Sequence, residues 1–409
     1  MHILFLSHYF PPEVNAPASR TFEHTRQWAK DPDLKITVIT NNPNHPKGIL
    51  YPGHSNNWIK KEQIQNINIV RVKTYLAPNA GFIRRTLNYL FFIPTAISVS
   101  FTIKKPDIII GTSPQFFCAV AAYIISRLKK CAFVFELRDI WPESIVTVGA
   151  MHKSFIISLL EKLELFLYHQ SSMIIALTNA FRENLINRGV PASKIKVFKN
   201  GVDLSFFKPK DRPEGLIKAL DAENKFIVSY IGTIGMAHAI DKIIDVAEKF
   251  ISNPKILFLI VGEGAQKKSI KKMISSKKLA NIKVLPGVSK QEILGYYSIT
   301  DLNLVTLRNT PLFRTVIPSK IFEIMAMSRP ILCAVDGECR QIIEESGSGI
   351  YVEPENVDKI SKSINDLYNK KDLLIEMGRK GRLYVENNAD RNIIAAKYLD
   401  VLKDKSNFK

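Results

Sequence analysis

Short apolar runs alternate with longer amphipathic segments along the whole of this 409-residue chain. In the first half, strand candidates fall at 3–6, 36–40, 67–72, 107–110, 132–136 and 173–177. Helix candidates lie between them at 18–30, 82–103, 116–129, 154–170 and 178–188. The second half repeats the pattern, with strands at 226–231, 256–261, 282–285, 301–306 and 331–334. Its helices fall near 239–252, 266–278, 290–297, 319–327 and 357–370. Parallel strands need a crossover, and a helix is the usual one. The alternation therefore predicts an α/β chain of doubly wound parallel sheets with helices on both faces. The length suits two such domains better than one. The stretch 203–223 carries Pro209 and Pro213 among charges and reads as a hinge. Ligands of such sheets bind beyond the carboxyl ends of the strands. Here that region would include the cleft between the domains.

Composition narrows the partners. The net charge is +19, and it is denser in 1–205, where 24 Lys and Arg stand against 13 Asp and Glu. Such a field attracts phosphates, whether of nucleic acid, anionic lipid or a phosphorylated substrate. No helix-turn-helix, zinc finger or RNA-binding sheet motif is present, so nucleic acid is the least favoured partner. Cys118, Cys131, Cys333 and Cys339 form no C-x-x-C pair and read as reduced thiols of a reducing cytosol. The opening Met1-His2-Ile3-Leu4-Phe5-Leu6 does not read as a signal peptide. His2, His24, His152 and His169 stand without metal-ligand spacing, and Asp31-Pro32-Asp33 reads as a solvated turn. Neither a metal nor a cofactor is expected.

The segment richest in chemistry is Ile317-Pro318-Ser319-Lys320-Ile321-Phe322-Glu323-Ile324-Met325-Ala326. Proline suits a first helical turn, and a helix start offers backbone N–H groups to an anion. Lys320 and Glu323 share a face. A cation beside a diphosphate and a carboxylate accepting from two ribose hydroxyls would fit that face; so would a surface ion pair. Two glycine turns follow strands in the same half, Gly232-Thr233-Ile234-Gly235 and Gly262-Glu263-Gly264. Each lets backbone approach a phosphate or sugar, or is a plain tight turn. Neither matches a dinucleotide or P-loop pattern.

These pieces, with His8-Tyr9-Phe10-Pro11-Pro12-Glu13, Arg138-Asp139-Ile140-Trp141-Pro142-Glu143-Ser144 and Lys199-Asn200-Gly201-Val202-Asp203, resemble the family 4 glycosyltransferases of the GT-B fold. The resemblance runs over most of the chain. It is closest to the bacterial branch that builds O-antigen, capsule and colanic-acid-type polysaccharides, and within it to transferases of N-acetyl-L-fucosamine and related amino sugars. It implies two facing Rossmann-like domains: an acceptor-binding domain 1–205, a nucleotide-sugar domain 206–385, and a C-terminal helix 386–409 crossing back. By position, Glu323 matches the second glutamate of the family's E-x7-E motif and would hold the donor ribose. Thr315 stands where the first, sugar-contacting glutamate falls. The family's basic pair after the first strand of the second domain falls near Thr233 and His238, so Lys320 and Arg314 become the candidate diphosphate cations. Gly232, Gly235, Gly262, Glu263 and Ser319 complete the donor-side candidates. On the acceptor side the resemblance implies His8, Glu13, Asn15 and Arg20, with Asn15-Ala16 replacing a usual glycine pair. Arg138 and Asp139 fall where relatives carry a His-Asp pair near the reacting carbon, the aspartate orienting the acceptor hydroxyl and the arginine meeting phosphate. Read alone, the two residues are equally a buried ion pair.

One segment points to a surface. From Gln63 through Pro106 there is no acidic residue, while Arg71, Lys73, Arg84, Arg85, Lys104 and Lys105 flank an almost wholly apolar stretch, 86–103. Segment 82–105 reads as a membrane-docking helix with basic flanks for anionic headgroups, or as a core helix. The resemblance then implies a retaining transfer of an amino sugar such as L-FucNAc from a UDP-sugar to a polyprenyl-diphosphate-linked acceptor. The enzyme would be cytoplasmic and peripheral on the inner face of the membrane. The alternatives are a sugar-nucleotide 2-epimerase of the same fold and a non-catalytic scaffold.

Overall fold

The structure is a computed structural model and describes residues 1–78, 82–143 and 154–408. The chain divides into two compact units: Met1–Lys199 together with the C-terminal segment from Arg391, and Asn200–Asp390. The sequence reading had drawn these boundaries at 205 and 385.

The first unit is built on eight strands: β1 (His2–Leu6), β2 (Lys35–Asn41), β3 (Ile59–Ile64), β4 (Ile67–Val72), β5 (Ile108–Thr112), β6 (Ala132–Leu137), β7 (Met173–Ala176) and β8 (Ile195–Val197). They lie in the order β3-β4-β2-β1-β5-β6-β7-β8. All neighbours are parallel except β3 with β4, which form a hairpin across Gln65-Asn66, both at positive φ. Every residue of β1 and β5 is buried, as expected of central strands covered on both faces. The sequence reading passed over β3 because its residues, IKKEQI, have the polarity of a solvated segment. Lysines on an exposed edge guard it against further pairing.

The sequence reading placed one helix over 386–409. Instead, the helix Lys371–Asn388 ends and a second helix, Arg391–Lys403, begins. The break has a backbone cause: Ala389 accepts from the Val202 amide at 2.9 Å, in a bridge between Val202 and Asp390. The last helix packs on Ala16–Trp28. The Trp28 indole donates to the Ala395 carbonyl at 2.8 Å, and Tyr398 and Leu402 are buried beside it. A buried indole N–H needs such an acceptor, so this contact fixes the register of the two helices.

The second unit carries six parallel strands: β9 (Phe226–Ile231), β10 (Ile256–Val261), β11 (Ile282–Leu285), β12 (Leu302–Thr306), β13 (Ile331–Ala334) and β14 (Gly349–Tyr351). Their order is β11-β10-β9-β12-β13-β14. Residues 214–219, 338–346 and 371–388 are helical and β14 is a strand, all beyond the sequence reading. In each sheet the chain leaves one central strand for one side and later returns to the other. The switch points lie between β1 and β5 and between β9 and β12. Ligands of open parallel sheets bind at such points.

The helix Phe82–Ser100 has a buried side and an exposed one. Phe92, Thr95, Ala96 and Val99 are buried, while Leu87, Leu90 and, just beyond the helix, Phe101 are exposed. Arg71, in the same acid-free stretch of sequence, faces no surface. It is fully buried, pairs with Glu62 and donates to the carbonyls of Pro11 and Asn41. Among the described residues no helix is long and apolar enough to cross a membrane.

Candidate functional site

At the switch point of the second sheet, β9 ends in Gly232-Thr233-Ile234-Gly235 and β10 in Gly262-Glu263-Gly264. The glycines serve close packing of backbone on backbone. A Cβ on Gly262 would lie 1.8 Å from the Gly232 carbonyl oxygen, and one on Gly264 would lie 2.2 Å from that of Ile234. The Ile234 amide donates to the Glu263 carbonyl at 2.8 Å, which locks the two turns together. Gly232, at φ +143, makes room for a side chain: a Cβ there would stand 2.6 Å from the Lys320 ammonium.

Lys320 opens the helix Lys320–Ala326. Its Nζ is buried without a hydrogen-bond partner and lies 3.7 Å from the centroid of the Tyr230 ring. Burial pushes the amine down to about 7, with Glu323 opposing. Glu323 accepts a hydrogen bond from the Tyr297 hydroxyl at 2.9 Å. Burial raises its carboxyl, while Tyr297, Lys320 and Lys290 hold it back. The alternative, a surface ion pair, does not form: the two groups are buried and separately anchored. His238, beside them, is pushed down to about 4 by burial and then by Lys320, so it is neutral at physiological pH. At the helix start the amides of Ile321 and Phe322 already bond to the Pro318 and Ser319 carbonyls, and the Ser319 side chain does not cap. The free-amide anion site expected from the sequence is thus narrower than a regular helix start would give.

The other donor-side candidates are placed less centrally. Thr233 is exposed, and its carbonyl accepts from the Tyr230 hydroxyl at 2.8 Å. Gly235 is partly exposed, with His238 as its nearest contact. Glu263 turns outward to Lys267 at 2.7 Å and accepts from the Gly287 amide. Arg314 is exposed, 3.8 Å from Asp336. Thr315 donates to the Leu312 carbonyl at 2.6 Å. The sequence reading missed Tyr230, Tyr297 and Lys290. Tyr230 carried a faint signal, a hydroxyl-bearing ring near the end of the apolar strand FIVSYI.

In the first unit the acceptor-side candidates are engaged by the protein's own groups. His8 is buried against the helix Phe82–Ser100, its Nε2 2.6 Å from Asn88 Oδ1. Burial drives its ring down to about 3, so it stays neutral. An approach to an acceptor would have to pass that packing. Asn15 caps the helix Ala16–Trp28, accepting from the Ala18 amide at 2.9 Å. Arg20 is buried 3.4 Å from Glu136. Glu13, also buried, accepts from the Asn44 and His45 amides at 2.9 Å with Oε1, and its Oε2 has no hydrogen-bond partner. Burial raises this carboxyl to about 7 against those amides.

Arg138 follows β6, its amide donating to Ser113 Oγ at 2.8 Å. Burial and then Arg20 push its guanidinium to about 9, with Glu136 opposing, and its Nε and Nη1 are buried without hydrogen-bond partners. Asp139 is partly exposed beside it, its carbonyl accepting from the Trp141 amide at 3.0 Å. Ser144 of the same motif lies outside the described residues. Among the described residues no cluster of His, Cys, Asp and Glu could hold a metal ion.

Residues 18–206 match the family described as Glycosyltransferase Family 4, and residues 211–384 match Glycosyl transferases group 1. The chain belongs to the family 4 glycosyltransferases. A relative in Escherichia coli K12, a putative colanic acid biosynthesis glycosyl transferase, WcaI, is 24% identical over 98% of this glycosyltransferase and 100% of its own length. WbjE of Pseudomonas aeruginosa, a probable glycosyltransferase, is 23% identical over 64% of this chain and 66% of its own. Among solved structures, sucrose-phosphate synthase of Thermosynechococcus elongatus superposes with a TM-score of 0.78 at 13% identity, covering 98% of both chains. Anabaena HepE, solved in complex with UDP and glucose, gives 0.72 at 17% identity over 98% of this chain and 99% of its own. Both share the GT-B fold of the present transferase.

Proposed function

We propose that this glycosyltransferase takes a sugar from a UDP-sugar held by the second unit. One observation carries the reading: a buried ammonium and a tyrosine-held carboxylate, Lys320 and Glu323, stand one helical turn apart at the switch point of a parallel sheet. Lys320 would meet the diphosphate, and Arg314 and the Gly235 amide would add to it. Glu323 would accept from the ribose hydroxyls. A leaving diphosphate gains most from a cation already in place and stripped of water, because nothing need reorganise as charge develops. Thr315 stands where a carboxylate would touch the donor sugar, so a hydroxyl serves there. Asp139 would orient the acceptor hydroxyl and Arg138 would meet phosphate on the acceptor side.

The acceptor proposed is a polyprenyl-diphosphate-linked saccharide, and the reaction retains the anomeric configuration. An N-acetylated amino sugar such as L-FucNAc is the proposed cargo, in O-antigen, capsule or related polysaccharide synthesis. The likeness to a transferase named for colanic acid biosynthesis supports that setting. The half-exposed helix Phe82–Ser100 would rest on the inner face of the cytoplasmic membrane, where such an acceptor resides. An epimerase or a scaffold is not favoured, since the matched families and curated relatives are transferases. The test is incubation with a panel of labelled UDP- and GDP-sugars and a bacterial lipid extract. Label from a UDP-sugar is expected in the lipid phase. Epimerised donor without transfer would replace this function with the epimerase.

A further inference from the structure

Of the two tyrosines at the donor site, Tyr297 holds Glu323 and Tyr230 meets Lys320. Tyr230 is wholly buried on β9 and touches the site at two points. Its ring face lies under the Lys320 Nζ, 3.7 Å from centroid to nitrogen. Its hydroxyl donates to the Thr233 carbonyl at 2.8 Å, which fixes the ring and the glycine turn together. Gly232 leaves the space through which the lysine reaches the ring.

A lysine on its four-carbon stem ordinarily turns its ammonium into water. Here the ammonium is buried and donates to no hydrogen-bond acceptor, so something must offset its lost hydration. The negative face of an aromatic ring does so, and more strongly when the cation is desolvated. From this geometry we infer that Tyr230 is a positioning residue that sets Lys320 in place for the donor diphosphate. The inference rests on the donor reading above. It extends that reading by assigning the preorganisation of the cation to a residue that never touches the donor. The lowered amine fits: a charge held marginally is one that the ring and an incoming diphosphate both favour.

The test titrates UDP and uridine into the wild type, Y230F, Y230L and K320M by calorimetry. Y230F keeps the ring, and its UDP affinity should stay within about threefold of the wild type. Y230L should lose about tenfold for UDP and less than about twofold for uridine, as K320M does, and should add nothing in the K320M background. A purely structural tyrosine would weaken both ligands alike or neither, and either result overturns the assignment. Failure of the wild type to bind UDP is read separately and removes the donor reading itself. A measurement on the wild type covers the case in which Y230L does not fold. With lysines labelled at Cε, the Lys320 resonance, assigned by its loss in K320M, should lie upfield of the other lysines through the ring current of Tyr230. A resonance inside the ordinary lysine envelope would overturn the ring contact.

Discussion

A buried ammonium is costly to keep charged, and Lys320 shows that cost as an amine lowered to about 7. Anion binding favours the protonated form, so binding and protonation are linked. Affinity for a UDP-sugar, whose diphosphate diester has no titrating proton in this range, should fall as pH rises through 7. In K320M the affinity should be lower and flat across the same window; a wild-type affinity independent of pH would detach Lys320 from the diphosphate. His238 stays neutral throughout and does not contribute. Glu13 carries the opposite sign. Its folded carboxyl is raised to about 7 from an ordinary 4.5, so folding favours the proton. The stability it supports is full below 4.5 and lost as pH rises through 7. Melting temperatures from pH 4 to 8 should therefore fall less in E13Q than in the wild type. Equal slopes would show that Glu13 titrates normally. The residue types at the site were legible in the sequence, Lys320 and Glu323 by their spacing behind Pro318-Ser319. Their anchors were not. Tyr297 sits in a separate helix and Tyr230 on a strand, and only tertiary packing brings them to the pair.

At the scale of elements, the helices and strands read correctly from the sequence were those with strong apolar periodicity. Those missed were short or polar. The strand Gly349–Tyr351 has three residues, and β3 places Lys-Lys-Glu-Gln between two isoleucines. The helix Glu338–Ser346 buries only part of its surface around Ile342 and Ile343. The helix Phe82–Ser100 shows why its two readings could not be separated by composition. Its apolar residues go all the way round, and burial alone distinguishes Phe92 from Leu90. The exposed pair gives a prediction: L87D/L90D should leave the melting temperature within a few degrees and abolish sedimentation with phosphatidylglycerol vesicles. The wild type should sediment with those vesicles and much less with phosphatidylcholine, because its flanking cations Arg84, Lys104 and Lys105 remain exposed. Vesicle binding that survives the double change, or none by the wild type, would contradict docking through this helix.

At the scale of the whole molecule, each sheet has a topological switch point, and the second unit brings the Gly232 turn and Lys320 together at its own. Doubly wound order explains this economically, since the loops that diverge there leave space at the carboxyl ends of the strands. The α/β class was legible from alternation alone. The return of the chain to the first unit was legible only in outline, because its start at Arg391 is set by the Val202–Asp390 bridge, a contact between residues far apart in sequence. The central claim is that the second unit holds a nucleotide through the ribose at Glu323. Calorimetry with UDP and 2′-deoxy-UDP, on the wild type and on E323A, tests it most directly. Removing a charged hydrogen-bonding group should cost about 1.5–3 kcal/mol in UDP affinity. The wild type should prefer UDP over its deoxy analogue, and E323A should bind the two alike. Unchanged UDP affinity in E323A, or a preference for the ribose hydroxyl that survives the substitution, would contradict the account.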